Sequence, residues 1–193
     1  MNSEKHKKIT QFLFEMGTMR KLPRIHRQVL LTDDVSDTIA SHSYRVTLIG
    51  WFLAKLEGAD PYKVVMMCLS HDMSEVRAGD HNWIHKRYVK IFDEEIRNEQ
   101  LGGLPFQELR EIAGEYDKRE SKESIVAKDA DILDQIFLLK EYAWQGNKEA
   151  QIWLDRNEII YRCKTESGTQ IAKAIMEEAP SSWADNLATG ENR

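Results

Sequence analysis

The sequence predicts an all-α, single-domain protein, and three observations carry that expectation. Apolar residues recur at three- and four-residue intervals along nearly the whole chain, which is the helical period. Breakers are few, with 10 Gly and 4 Pro in 193 residues. No segment alternates apolar and polar residues over the length of a strand. At 41% hydrophobic and 31% charged residues the chain is too apolar to stay disordered, and its length suits one domain.

The elements follow in order. Ile9, Phe12, Leu13 and Met16 define a first helix that Gly17 stops. Arg20–Asp37 is polar, contains Pro23, and reads as a connecting loop. Thr38–Glu57 is a second helix with Ile39, Val46, Ile49, Phe52, Leu53 and Leu56 on its inner face; Gly58 ends it. Asp60 and Pro61, an N-cap followed by proline at the first helical position, open a third helix that runs through Val64, Val65, Met67, Cys68 and Leu69 to about Arg77. Gly79 breaks it, and residues 78–90 are an irregular, polar and aromatic segment. Helices resume over Val89–Glu99, Leu104–Tyr116 and Ser121–Trp144. After Gly146 come Glu149–Leu154 and Ser167–Ala179. The single domain is expected over residues 1–180, with its core at about 5–145, C-terminal helices at 148–180, a tail at 181–193, and a frayed end at Thr189–Arg193.

Net charge is −5, which argues against a general binder of nucleic acid or anionic membrane. No apolar run approaches the ~18 residues of a membrane span, and the polar, basic start has no signal-peptide core. The chain reads as cytoplasmic. Cys68 and Cys163 are too few and too isolated for a disulfide framework or a thiolate zinc site.

The sharpest feature is His71-Asp72 inside an apolar helix. Val64, Met67 and Cys68 precede His71 by seven, four and three residues, so the imidazole points inward. A buried carboxylate must be paired or bind metal. Neighbouring helical residues are ~100° apart, so both reach one ion only if it sits beside the helix, between them. His42 heads the stripe of Val46, Ile49, Leu53 and Leu56 and also faces inward. Asp131 lies at a semi-buried turn in Lys128-Asp129-Ala130-Asp131-Ile132-Leu133. Three helices thus each aim an imidazole or carboxylate at the core. Two nitrogens and two oxygens suit a borderline divalent transition metal: Mn, Co, Fe, Ni, Cu or Zn.

This set, with Ser41-His42-Ser43 and the stretch Ser70-His71-Asp72-Met73-Ser74-Glu75-Val76 followed by Gly79-Asp80, resembles the HD-domain metal-dependent phosphohydrolases. Within them it is most similar to the small bacterial deoxyribonucleoside 5′-monophosphatases (5′-nucleotidases) and their HD-domain-containing-2 relatives. The resemblance spans roughly residues 5–145. It implies a helical bundle with the metal between helices, held by His42, His71, Asp72 and Asp131. It also implies that Glu75 and Asp80 are the acids beside the attacking water and the sugar, and that Arg27 binds phosphate, with Arg24 its close competitor. Glu75 lies one turn after His71, on the same face, from where it orients or deprotonates the water or serves as the acid. Lys86 and Arg87 add positive charge to a lid. Two departures stand out: Ser41 precedes the first histidine where relatives often carry Glu, and Gln28 follows Arg27 where relatives often carry Trp. Trp83 is the alternative platform for a base. Trp144, Trp153 and Trp183 read as packing or dimer-interface residues.

The expected function is hydrolysis of nucleoside 5′-monophosphates to nucleoside and orthophosphate, by a protein that the relatives and the aromatic content point to as a homodimer. A triphosphohydrolase or phosphodiesterase of the same superfamily is the alternative. A second metal would need further histidines, and only His81 and His85 are at hand between His71 and Asp131, which favours one metal. A non-catalytic, metal-stabilised nucleotide-binding module is the reading from another class. A helix-turn-helix nucleic-acid binder lacks a helix with a basic face.

Overall fold

The computed structural model describes residues 2–156, 158–185 and 187. Two long helices, α3 (Ile39–Glu57) and α9 (Lys122–Trp144), form its axis, and α4 (Pro61–Ser70) packs on both. Local chemistry fixes where each begins. Thr38 Oγ1 accepts from the Ser41 backbone N–H at 3.2 Å while Ser41 Oγ accepts from Thr38 N–H at 2.8 Å, a reciprocal cap. The serine before His42 is therefore the residue that closes the helix start. Asp60 accepts from the N–H groups of Tyr62 and Lys63 and Pro61 follows it, so α4 begins as the sequence expects. Ser121 caps α9 through the Ser124 N–H.

The short connection at Gly58–Asp60 returns the chain, so the end of α4 lies beside the start of α3. At Gly50 a Cβ would stand 2.5 Å from Cys68 Sγ and 3.1 Å from Val64 Cγ1. The bare backbone there lets the two helices approach closely. Leu30, Ile39, Val46, Leu53, Val64, Met67, Leu133, Ile136 and Leu139 are fully buried between them.

Around this axis lie α1 (Asn2–Met16), a 3-10 turn over Gly17–Lys21, α2 (His26–Leu30), α5 (Glu75–Ala78), α6 (Trp83–Tyr88), α7 (Asp93–Leu101), α8 (Glu108–Lys118), α10 (Lys148–Asp155), α11 (Glu166–Glu177) and α12 (Ser182–Asp185). Among the described residues there is no strand, only an isolated bridge between Pro23 and Thr38. The all-α expectation holds. No helix among them is long and apolar enough to cross a membrane.

Several boundaries differ from expectation. The loop at 20–37 contains the end of the 3-10 turn and α2, which are too short to show a period; Leu31, at φ 52°, ends α2. The third helix stops at Ser70 rather than Arg77. Residues 71–76 tighten into i→i−3 bonds, Met73 N–H to Ser70 O, Glu75 N–H to Asp72 O and Val76 N–H to Met73 O. The segment 78–90 contains α6, begun by Asn82, whose side chain accepts from the Ile84 and His85 N–H groups. α7 starts at Asp93, because Val89 is extended. α8 starts at Glu108, because Pro105 disfavours helical backbone at Leu104. Phe52 and Leu56 are 58% and 64% exposed, not inward, since Leu53 occupies the inner stripe. Residues 181–193 were expected as a tail, but α12 lies among them; the frayed end at Thr189–Arg193 lies outside the described residues. Ala150, Leu154, Ile159, Ile160, Cys163, Ala172 and Ile175 join the main apolar cluster, so the C-terminal helices share one core with α3, α4 and α9.

Candidate active site

His42 lies in the first turn of α3 and is 2% exposed. Its Nδ1–H donates to Asp134 Oδ2 at 2.5 Å, which leaves Nε2 as the nitrogen turned toward the cluster. His71 follows α4 directly, and its Nδ1–H donates to the Cys68 carbonyl at 2.7 Å. That also leaves Nε2 as the open nitrogen. The two Nε2 atoms face each other at 3.2 Å. Asp72 Oδ2 lies 3.4 Å from His42 Nε2 and 3.1 Å from His71 Nε2. Asp131 Oδ1 lies 3.3 Å and 3.9 Å from the same nitrogens. Lys128 Nζ holds the other oxygen of Asp131 at 2.6 Å.

This donor set fits a metal. Ligand atoms about 2.1 Å from one cation lie about 3–3.4 Å apart, depending on geometry, close to most of these separations. His42, His71 and Asp72 each offer one donor atom, all mutually within 4.8 Å. The outer partners, Asp134 and the Cys68 carbonyl, fix both tautomers as ligating histidines require. Burial and Arg24 act to lower the His42 pKa, yet Asp131, Asp134 and Asp72 outweigh them and hold it well above the usual imidazole range. The same negative field attracts a cation.

A cavity of about 630 Å³ opens onto this cluster. Glu75, at the start of α5, lines it. Burial, then the Asp72 and Asp80 carboxylates, push Glu75 up to about 10, so it retains a proton at neutral pH. Gly79, at φ 83°, takes a backbone conformation that suits glycine and turns the chain out of α5. Asp80 follows, and its Oδ2 accepts from the Ile25 N–H at 2.6 Å. The bond ties the Arg24 segment to the cavity. Arg24 is 8% exposed; its Nη1 lies 2.5 Å from His42 Nδ1 and 3.5 Å from Asp134 Oδ2, and its Nη2 donates to His26 Nε2 at 3.2 Å. Burial and Arg24 push His26 down to about 4, which leaves it neutral and able to accept that bond.

The structure brings His42, His71, Asp72, Asp131, Glu75, Asp80, Arg24 and Lys86 to one place. It does not bring Arg27, which is absent from the cavity lining and lies toward Asp34. The preference for Arg27 over Arg24 is thus reversed in position: two residues before α2, Arg24 points in, while Arg27 sits on the turn that points away. Gln28 accepts from the Asn82 side chain. Trp83 lines the cavity and is 65% exposed. His81 lines it too, outside the donor cluster.

Sequence reasoning missed several neighbours. Asp134 orients His42; its signal was the i+3 spacing from Asp131 on α9. Arg119 and Gln135 line the cavity, as do Trp153, Arg156 and Arg162 of the C-terminal segment, so Trp153 is a wall residue of the cavity. Nothing in a periodicity places a side chain from a distant segment there. Asp129, beside the ligand set, has another task. Its carboxylate accepts from the N–H groups of Lys164 and Thr165 and from Thr165 Oγ1, at 2.7–3.0 Å.

Two imidazoles and two carboxylates gathered where α3, α9 and the turn after α4 meet define a candidate metal-site helical fold, and comparison with known proteins gives it a family. The pattern of the HD domain matches residues 19–175, and the chain belongs to the HD domain family. It is similar to the 5′-deoxynucleotidase HDDC2 of Dictyostelium discoideum, 28% identical over 148 residues that cover 69% of this chain and 75% of that protein. It is also similar to a 5′-deoxynucleotidase of Erwinia tasmaniensis, 28% identical over 149 residues, covering 68% and 74%. In structure it resembles a conserved hypothetical protein from Pyrococcus furiosus, with a TM-score of 0.72, 23% identity, and 88% and 99% of the two chains covered.

Proposed function

We propose that the protein is a metal-dependent phosphohydrolase that converts deoxyribonucleoside 5′-monophosphates to nucleoside and orthophosphate. The observation that carries this reading is the placement of Glu75 and Arg24 beside the cluster of His42, His71, Asp72 and Asp131, in one cavity large enough for a nucleotide. The names of the relatives support the substrate class. His42, His71, Asp72 and Asp131 would hold the metal, which when bound neutralises phosphoryl charge and lowers the pKa of a bound water.

The chain's own residues do the rest. Hydrolysis joins a water oxygen to phosphorus, breaks the bond from phosphorus to the 5′ oxygen, and requires a proton for the departing alkoxide. Glu75, on the cavity wall beside the cluster and raised by burial and two carboxylates, is placed to supply that proton as the general acid. Arg24 adds fixed positive charge for the phosphoryl oxygens in a site of reduced dielectric. Asp80 positions Arg24 through the Ile25 backbone, and its second oxygen is available to a sugar hydroxyl. Lys86 and Trp83, on α6, stand at the edge where a base would lie. The exposed apolar face of α3, with Tyr44, Leu48, Trp51, Phe52 and Leu56, supports a homodimer, and a nucleotide substrate fits a cytoplasmic location.

A phosphate-release screen tests the function. Deoxy- and ribonucleoside mono- and triphosphates are incubated with several divalent metals, with a chelator control. Metal-dependent orthophosphate from deoxynucleoside monophosphates is expected. Tripolyphosphate from triphosphates, or binding without release, overturns the reading.

A further inference from the structure

We propose that Arg119 is a second anion-gripping residue of this cavity, one that selects a phosphate monoester dianion; the proposal rests on the phosphohydrolase reading above. Arg119 follows α8 with φ at 57°, in the left-handed region. That position after a helix is usually Gly, because a Cβ is disfavoured there. An arginine held in such a conformation suggests a use for its side chain.

The guanidinium is placed with care. Its carbon lies 3.3 Å from the centre of the Tyr116 ring. Tyr116 in turn meets the His71 ring edge-on, with centres 5.5 Å apart. Arg119 therefore stands one ring away from the donor cluster, on the wall that α8 builds, whereas Arg24 comes from the segment before α2.

Its bonding is incomplete. Nη1 is buried and has no hydrogen-bond partner among the described residues. Two other cations of the cavity wall are paired, Arg97 with Asp117 and Lys128 with Asp131. Arg24 has each terminal nitrogen engaged, by Asp134 and His26. Among the described residues Arg119 is engaged by no carboxylate. A buried N–H without an acceptor is unfavourable, and a divalent cation in the neighbouring cluster adds like-charge repulsion. Arg119 and the cluster line one cavity, and an anion bound there against both walls removes both penalties. A phosphate monoester suits both walls: its dianion carries three terminal oxygens, one set for the cluster and another for a planar guanidinium. A diester carries one negative charge and offers fewer.

The test compares wild type with Arg119→Gln, Arg119→Lys and Arg119→Gly, all metal-loaded to equal content. Inorganic phosphate is titrated by calorimetry, dAMP hydrolysis is followed at steady state, and Tm is measured. Arg119→Gln is expected to raise both the phosphate Kd and the KM for dAMP about tenfold or more, with kcat changed less than about threefold, because the contact is made in ground and transition states alike. Arg119→Lys recovers part of the affinity. Arg119→Gly, which relieves the left-handed strain, melts no lower than wild type yet shows the same loss. Phosphate Kd and KM within about twofold of wild type in the Gln and Gly variants overturn the proposal, as does a loss that tracks a falling Tm in every variant. Wild type that binds phosphate through Arg119 but hydrolyses no nucleotide upholds the anion grip and overturns the proposed function instead.

Discussion

Replacing Glu75 with glutamine isolates the proton this side chain holds. Burial and the Asp72 and Asp80 carboxylates push Glu75 up to about 10, while in the unfolded chain it titrates near ~4.3. Between those values the folded protein binds a proton that the unfolded chain has released. Stability therefore falls as pH rises: the contribution is fully present below the unfolded value and is lost as pH climbs through the folded one. At about pH 7.5 the full difference is about 4 kcal/mol, at ~1.4 kcal/mol per unit. Solvent in the open cavity screens it to about 2 kcal/mol. The amide keeps the shape and has nothing to titrate. Urea unfolding of chelator-treated protein, from about pH 5.5 to about pH 9, is expected to show wild type losing about 2 kcal/mol relative to Glu75→Gln. With metal restored, the same variant retains the ion but loses about 10²–10⁴-fold in kcat. Parallel stability curves would refute the burial argument, and an unchanged kcat would refute the acid role.

His71→Ala and Asp72→Ala are each expected to abolish metal retention and phosphate release together, as read by elemental analysis of dialysed protein beside the activity assay. Arg24→Ala removes a buried guanidinium from Asp134 and the phosphate path, so kcat/KM is expected to fall about 10- to 100-fold, whereas Arg27→Ala stays within about twofold; steady-state kinetics on both variants separates them. Gly50→Ala forces a methyl against Cys68 Sγ and is expected to cost about 1–3 kcal/mol, a drop in Tm of roughly 3–10 °C measurable by calorimetry.

Much of the site was legible because helical spacing reports direction. Val64, Met67 and Cys68 point His71 inward, and Val46, Ile49 and Leu53 do the same for His42. The N-cap at Asp60 is a chemical signal and lies where the sequence puts it, whereas Gly79 ends the separate α5 and not the third helix. What spacing does not report is how a non-periodic segment folds back. Arg24 and Arg27 differ by less than one turn, and long-range bonds from the Ile25 N–H to Asp80 and from the Arg24 N–H to the Asp37 carbonyl hold the segment that turns Arg24 into the cavity. The tightened turn at residues 71–76 carries no signal of its own, because its side chains still read as helix. Phe52 and Leu56 are exposed despite their spacing, since apolar character alone does not tell a core stripe from an exposed one. Arg119, Gln135 and Trp153 were invisible because each reaches the cavity through tertiary packing.

Asp129 and Asp131 are two residues apart on one helix yet answer to different masters. One lines the cavity; the other clasps Lys164 and Thr165, and so anchors the segment that leads into α11 to the same rod. Any shift that loosens this clasp is transmitted within a single helical turn to the carboxylate beside His42 and His71. The segment that leads into α11 thereby braces the helix that carries Asp131.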